Sequence, residues 1–458
     1  MMHFAKEHDI FELSKEQYLL INYVSGAADI IDNSCKIALE KGDYKLLDKN
    51  IIDELISRKY LFSSIQEYEQ YLFELDKKLL SVEKTQMPNF LLIPSYNCNF
   101  ECSYCYQKSY QIEKFYGNKD YSKNIVDAMF AAMDKIIENT GNQENKDFIK
   151  VTLMGGEPLF SHNDDILPFI FEKLKDKKYK VSVITNGYEL DNYIPFLRKL
   201  NIDFIQITMD GTKEIHDTKR FNNKHVGTFD VIMKNVKKAL EAGLNVEIRN
   251  NVDADNILNL PAFAYALSDL KNDFPNLLHP YIYILQDGGC SGNKTIINEV
   301  ESLETVLALE KIYPNLNIFR KTFHGIDLIN SIVNNTPFKP KMSNCAACRN
   351  QYILDGHGNI YKCWFGVGND KFKIGNYISD LKICDVADTA WKKRNIINLK
   401  KCIQCKYRYI CGGGCANRAT IDPDTGIRRE KCADYKKIMG IYFNHLFVEN
   451  RNEEIICK

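Results

Sequence analysis

The sequence predicts an α/β protein: a parallel sheet curled into a barrel or part of one, preceded by a small strand-and-helix module and followed by a cysteine-rich segment. Three observations carry this. Between residues 89 and 311, six apolar runs alternate with six stretches of helical periodicity, the order that builds βαβ units and a parallel sheet. Before residue 85, a hairpin pattern precedes two helical ones. After about Ile326 periodicity fades while Gly, Asn and Cys rise.

At the N-terminus, Leu19–Val24 reads as a strand, Ser25-Gly26-Ala27 as a turn and Ala28–Asp32 as a second strand. Helical periodicity follows near Leu46–Arg58 and Ile65–Leu80. A hairpin followed by helices is winged-helix-like. A charged linker, Ser81–Met87, ends at Pro88. The strands expected next are Phe90–Ser95, Phe148–Met154, Lys180–Thr185, Phe204–Met209, Asn245–Asn250 and His279–Leu285. The helices are Lys123–Glu138, Ile166–Lys175, Leu190–Leu200, Phe229–Ala242, Leu258–Asp269 and Val300–Lys311. Expected domain limits are 1–85, 86–325 and 326–458. The last segment has too little apolar periodicity for a large core of its own, so metal sites would be its staples.

The chain has 458 residues, 45% apolar and 26% charged, with 60 basic and 60 acidic side chains. This balance excludes a polyanion-binding footprint, and no nucleic-acid partner is expected. Met1–Glu12 is charged and has no apolar signal core, and no apolar run reaches the length of a bilayer span. The expectation is a cytoplasmic protein with no membrane partner. There, thiols stay reduced, and clustered cysteines serve as metal ligands or catalysts rather than disulfides.

Of fifteen cysteines, eleven fall into three groups. The first, Cys98, Cys102 and Cys105, reads CX3CX2C and follows the first strand. Three thiolates can hold three irons of a four-iron cluster and leave the fourth open. Zinc would want a fourth ligand, and none neighbours the triad. Gly155-Gly156-Glu157 follows the second strand, Thr185-Asn186-Gly187 ends the third, Asp210-Gly211 the fourth and Asn250-Asn251 the fifth. All fall at carboxyl ends of parallel strands, where α/β barrels carry their sites.

With these motifs the chain resembles the radical S-adenosylmethionine (radical SAM) enzymes, whose signature is CX3CX2C after the first strand of a partial (β/α)6 barrel. The resemblance implies a [4Fe–4S] cluster on Cys98, Cys102 and Cys105, with SAM on the open iron and cleaved by one electron to a 5′-deoxyadenosyl radical. It places Tyr104 near the adenine. It places Gly155, Gly156 and Glu157 at the SAM amino group, where glycines permit close approach and a carboxylate pairs with an ammonium. Asn186 and Asn250 would contact ribose and carboxylate. Arg220 would meet the SAM carboxylate or a substrate, or else be a solvated surface arginine.

The second group is Cys345, Cys348 and Cys363; the third is Cys402, Cys405, Cys411, Cys415 and Cys432. Cys402 to Cys415 reads CX2CX5CX3C, and with Cys348, the GX4C element ending at Cys363 and Cys432 it resembles the SPASM domain. That resemblance implies two auxiliary [4Fe–4S] clusters, one on Cys345, Cys348, Cys363 and Cys415, the other on Cys402, Cys405, Cys411 and Cys432. The short Cys345–Cys348 spacing leaves full ligation of the first open. Structural zinc is the competing reading of the paired CX2C elements. Cys290 follows the sixth strand and could touch substrate or be an inert loop cysteine; Cys35, Cys384 and Cys457 read as structural or incidental.

SPASM-bearing members mostly act on peptides or proteins. In the branch that matures anaerobic sulfatases, an aspartate base follows the GX4C cysteine; here that position is Trp364. The expectation is therefore a maturase of ribosomally made precursor peptides. It would abstract hydrogen to install a modification such as a thioether cross-link, and be reduced by a flavodoxin- or ferredoxin-type partner. Residues 15–80 resemble the small module that grips the leader peptide as an extra strand. The alternatives are a sulfatase-maturase-like enzyme, a small-molecule radical SAM enzyme, or a non-catalytic iron–sulfur electron carrier. The catalytic base is not identified.

Overall fold

The computed structural model describes residues 2–107, 122–140, 149–286 and 295–449. Two compact units emerge. The first comprises Met1–Lys84, Phe323–Arg349 and Lys393–Lys458; the second comprises Thr85–Thr322 and Asn350–Lys392. The segment expected as a C-terminal domain is thus divided between them. Among the described residues no helix is long and apolar enough to cross a membrane.

Among the described residues the first unit holds five strands: β1 (His3–Phe4), β2 (His8–Glu12), β3 (Gln17–Asn22), β4 (Ala28–Asp32) and β5 (Leu61–Phe62). β2, β3 and β4 form an antiparallel sheet in that order, and β1 pairs with β5. The expected β3–β4 hairpin is present, turning at Gly26, whose φ of 75° is a conformation glycine adopts freely. Helices span Asn33–Lys41, Lys49–Ser57 and Ile65–Thr85. The first was not expected, yet its ends follow the usual rules. Asp32 caps its N-terminus by accepting from the Cys35 amide at 2.7 Å, and Gly42 closes it in the left-handed region. The helices Ile326–Val333 and Tyr435–Phe443 belong to the same unit.

The second unit is built on one sheet: β6 (Asn89–Ile93), β7 (Lys150–Leu153), β8 (Lys180–Thr185), β9 (Asn201–Thr208), β10 (Val246–Val252), β11 (Leu278–Ile284), β12 (Arg320–Lys321), β13 (Gln351–Asp355), β14 (Asn359–Tyr361), β15 (Lys373–Asn376) and β16 (Lys382–Ile383). From β6 to β12 each strand lies beside its predecessor and parallel to it. Every crossover therefore steps the same way, and the sheet curls as a partial barrel. The six expected strands are β6 to β11. The first of them was expected to extend to Ser95 but ends at Ile93, and Phe148 of the second lies outside the described residues. β13 was not expected; it adds in parallel on the free side of β6 and continues into the antiparallel β14–β16.

Apolar alternation explains the strands. Val151 and Leu153, Val181 and Val183, Ile205 and Ile207, and Val246 and Ile248 are fully buried. Helices over Lys123–Asn139, Leu167–Asp176, Leu190–Leu197, Phe229–Glu241, Leu260–Asp273 and Glu299–Ile312 cover them. In Phe229–Glu241 the buried side chains Ile232, Val236, Ala239 and Leu240 fall on one helical stripe.

Candidate functional site

The cysteine loop begins five residues past β6 and is held from two sides. On one side, the amides of Gly156 and Glu157 donate to the carbonyls of Ser95 and Asn97 at 3.0 and 2.9 Å. A Cβ on Gly155 would sit under 3.0 Å from the Ser95 carbonyl, and one on Gly156 equally close to those of Tyr96 and Asn97. The two glycines are thus required by their close approach to the backbone of the cysteine loop. On the other side, residues 219–223 run antiparallel to the loop. Glu101 N–H donates to Phe221 O at 2.9 Å, Ser103 N–H to Lys219 O at 3.0 Å, and Asn223 N–H to Asn99 O at 3.0 Å. This clasp was not foreseen.

The three thiols are neighbours: Cys102 and Cys105 both act on Cys98, whose thiol is pushed up first by burial and then by the Cys102 and Glu157 charges. Gathered sulfurs that repel as thiolates suit a cationic iron cluster. Gln107, buried, donates to the Gly155 carbonyl at 3.0 Å and ties the far end of the loop to the glycine turn.

Glu157 lies buried beneath the loop. Its carboxylate accepts from Thr185 Oγ1 at 2.6 Å, the Asn186 amide at 2.5 Å and the Leu159 amide at 2.8 Å. Burial nevertheless pushes its carboxyl up to about 7. The side chain thus links the β7 and β8 ends. Asn186, just past β8, donates through Nδ2 to Asn99 Oδ1 at 2.7 Å and so touches the cysteine loop directly.

Half-buried Tyr104 and the buried Asp210, Arg220 and Asn251 form one cluster. The Tyr104 hydroxyl donates to Asp210 Oδ2, and receives bonds from Arg220 Nη1 at 3.0 Å and Asn251 Nδ2 at 3.2 Å. Burial pushes the Asp210 carboxyl up, opposed by Arg220. Arg220 is 9% exposed, so the surface-arginine alternative is overturned; its guanidinium is 5.9 Å from the Phe100 ring centre. Asn250 lies inside β10, which runs two residues further than expected, and donates to Met209 O at 2.9 Å. Arg220 Nε and Asn250 Oδ1 are buried with no hydrogen-bond partner among the described residues. A spare donor and a spare acceptor fit a zwitterionic cofactor such as SAM.

β13 brings Asp355 to this end of the sheet as well. Its carboxylate accepts the Tyr96 hydroxyl at 2.6 Å, just ahead of the cysteine loop. Cys363, in the same unit, acts on Tyr106, whose ring meets Phe365 edge-on at 5.0 Å beside Trp364.

The other grouped cysteines lie in the first unit. Cys345 neighbours Cys415 and the buried Arg394. Cys402 is buried among Cys411, Cys405 and Cys432, and its thiol is pushed up to about 12, chiefly by burial. Arg394 donates to the carbonyls of Gly413 and Gly414 at 2.8 and 3.0 Å, pinning the turn between Cys411 and Cys415. Among the described residues no three His, Cys, Asp or Glu side chains converge on one metal-ion position. Cys290 and Cys457 lie outside the described residues.

Comparison with known proteins places this geometry. Residues 92–257 match the radical SAM superfamily. A cysteine-type anaerobic sulfatase-maturating enzyme of Clostridium novyi is 25% identical over 345 residues, 70% of this chain and 85% of the relative. The radical SAM cyclopropyl synthase TigE of Paramaledivibacter caminithermalis is 23% identical over 424 residues, 88% of this chain and 83% of the relative. The solved structure of anSMEcpe with bound AdoMet and the Kp18Cys peptide has a TM-score of 0.55 at 20% identity, covering 80% of this chain and 99% of that one. Streptococcus suis SuiB bound to precursor peptide SuiA has a TM-score of 0.52 at 15% identity, covering 94% and 99%. At these identities the structural likeness is one of fold. The family supplies SAM and a [4Fe–4S] cluster, and the triad, glycine turn and orphaned polar atoms suit both. Residues 92–257 are a radical SAM domain, and the cysteine triad and the glycine turn both fall within it.

Proposed function

We propose that this enzyme is a maturase of ribosomally synthesised precursor peptides, forming a cross-link such as a thioether. The carrying observation is the three-stranded sheet β2–β3–β4 in the N-terminal module. β2 is backed by the helix Tyr435–Phe443, with Phe11 and Phe443 rings 5.0 Å apart, whereas β4 is an edge strand with Ile30 exposed. A leader peptide adds along β4 by main-chain hydrogen bonds. The relatives support this: TigE and peptide-bound SuiB align with 88% and 94% of the chain, the sulfatase-maturating enzyme with 70%.

Cys98, Cys102 and Cys105 would hold a [4Fe–4S] cluster beside SAM, and that pair would supply the radical chemistry needed to remove hydrogen from a peptide carbon. Tyr104, Arg220, Asn186 and Asn250 orient SAM, and the Tyr104–Asp210–Arg220 cluster keeps water from that wall of the site. Cys402, Cys405, Cys411 and Cys432 hold one auxiliary cluster, and Cys345, Cys348 and Cys415 are ligands of a second. A flavodoxin- or ferredoxin-type protein supplies electrons.

The test is the full chain, reduced, with SAM and any short cysteine-bearing peptide encoded beside its gene. The expected outcome is 5′-deoxyadenosine together with a peptide lighter by two hydrogens and one fewer alkylatable thiol. An unchanged peptide mass would refute a cross-link. A second reading, oxidation of a sulfatase cysteine, is favoured by the likeness to the Clostridium novyi relative. Turnover of a cysteine-bearing sulfatase peptide, and not of the neighbouring peptide, would establish it. Trp364, which stands where that branch carries its aspartate, argues against it.

A further inference from the structure

Strand β10 sends its side chains alternately to two faces. Val246 and Ile248 are fully buried beneath the helices, so Glu247, Arg249 and Asn251 share the opposite, inner face of the sheet. Asn251 reaches Tyr104, which stands between Cys102 and Cys105: its Nδ2 donates to the Tyr104 hydroxyl at 3.2 Å. Arg249 stands one step behind, its Nε donating to Asn251 Oδ1 at 2.8 Å. The Arg249 guanidinium also lies over the Tyr283 ring of the adjacent strand β11, 4.0 Å from the ring centre.

One bond and one ring thus hold the guanidinium in place. Its remaining donors, on Nη1 and Nη2, have no hydrogen-bond partner among the described residues, and no carboxylate there pairs with it. The nearby carboxylates are engaged elsewhere. Asp210 accepts the Tyr104 hydroxyl, Glu247 lies 3.5 Å from Arg320 Nη2, and Asp253 lies 2.5 Å from Lys219 Nζ. Arg249 is half-buried, so part of its hydration is lost without a counter-ion in return. A stacked, pre-oriented fork with its outer edge open has the form of a carboxylate receptor. SAM carries one carboxylate, and Arg220 with its spare Nε answers it; the Arg249 fork is left for the substrate.

We propose that Arg249 is a substrate-binding residue: its open edge receives a carboxylate of the peptide substrate and so sets which part of the peptide faces the cysteine loop. The inference rests on the peptide reading above and deepens it, the carboxylate belonging to an Asp or Glu side chain or to the C-terminus. Through Asn251 the same guanidinium touches the Tyr104 cluster, so substrate and cofactor are seated from one strand.

The experiment uses the full-length enzyme, reduced and with SAM, as wild type and as Arg249→Gln, acting on a short cysteine-bearing peptide encoded beside its gene. Glutamine places its amide nitrogen where arginine has Nε, so the bond to Asn251 survives and only the fork is lost. KM for the peptide should rise roughly 10–100-fold, while iron content and SAM affinity stay at parental values. Arg249→Lys keeps the charge without the fork and should recover only part of the loss. Amidating the peptide's C-terminus, or changing its Asp and Glu residues one at a time to Asn and Gln, locates the carboxylate. One of these changes should raise KM as much in wild type and no further in Arg249→Gln. Parental KM in Arg249→Gln, or additive losses for every carboxylate, overturns the proposal; so does a parallel fall in SAM affinity, which would give Arg249 to the cofactor. Should wild type leave every such peptide unchanged, the peptide reading fails on its own, and saturation-transfer NMR with N-acetylglutamate and N-acetylglutamine as probes decides the subsite. Contact with the acid in wild type, absent for the amide and absent in Arg249→Gln, supports it. Equal contact for acid and amide, or none for either, overturns it.

Discussion

Gly156 has no room for a methyl group, since a Cβ there would strike the carbonyls of Tyr96 and Asn97, both main-chain atoms that cannot rotate away. Gly156→Ala should therefore push the cysteine loop off its place, at a cost of about 3 kcal/mol, and strip iron from the Cys98 triad. A variant that melts like wild type with full iron would show the approach to be dispensable. Arg220 is a different case. Its guanidinium opposes the buried Asp210 carboxyl while its Nε stays unpaired. Arg220→Gln removes that cation and should lower stability by roughly 3 kcal/mol as well as weaken SAM binding, and Arg220→Lys should not restore binding, because an ammonium lacks the planar fork. Equilibrium SAM titration decides; wild-type affinity in the lysine variant would contradict the assignment.

Among the elements, the segment after β9 carries most of what the sequence concealed. The helix Lys213–Lys219 delivers Lys219 to Asp253, with Nζ 2.7 and 2.5 Å from the two carboxylate oxygens, while its carbonyl holds the cysteine loop. Lys219→Met strands a buried carboxylate and should cost about 3–5 kcal/mol, read as a fall in the urea midpoint. His216, on the same helix, has its ring nitrogens beside the Asp210 amide and the Thr228 hydroxyl, and burial lowers its pKa from 6.5 to about 3. Its folded value lies below its unfolded one, so its contribution is complete above pH 6.5 and drains away as pH falls toward 3. Between pH 7 and 5 wild type should lose up to about 2 kcal/mol more than His216→Asn. Parallel pH profiles would exclude a neutral buried imidazole.

These elements also show where sequence reading ends. β8 (Lys180–Thr185) and β4 (Ala28–Asp32) carry their alternation locally and were readable to the residue. The glycines and Asn186 were readable from their place after strand ends, whereas Tyr104 entered only through the family resemblance. The 219–223 clasp carries no such mark: its bonds are main-chain, so side-chain chemistry does not encode them. The helix Asn33–Lys41 could have been found from Asp32 and Gly42 at its ends, although its apolar stripe is weak. β13 had only a short run, Tyr352-Ile353-Leu354, set among glycines and cysteines, and its pairing with β6 depends on residues far away in sequence.

For the molecule as a whole, the apolar core is concentrated in the strands of the second unit, whereas residues 393–434 contain a single short helix, Arg408–Cys411. On the proposed cluster assignment, such a stretch depends on its thiol ligands. Chelating the iron should raise amide exchange across 399–432 by orders of magnitude while β8, β9 and β10 stay protected. Equal protection before and after chelation would mean the segment folds without metal.

The pairing of β6 with β13 has a consequence for synthesis on the ribosome. Tyr96 and Asp355, which bond across that seam, are separated by 259 positions. At roughly 5–20 residues per second, β6 emerges and waits tens of seconds before its second neighbour exists. Its sequence, Asn89-Phe90-Leu91-Leu92-Ile93, is one that the finished protein hides from water. During that interval the nascent chain exposes a sticky ledge beside the cysteines that must receive iron. Fragments ending at Thr322 should aggregate where chains reaching Lys392 do not, and chaperones that shield such ledges should be limiting for yield.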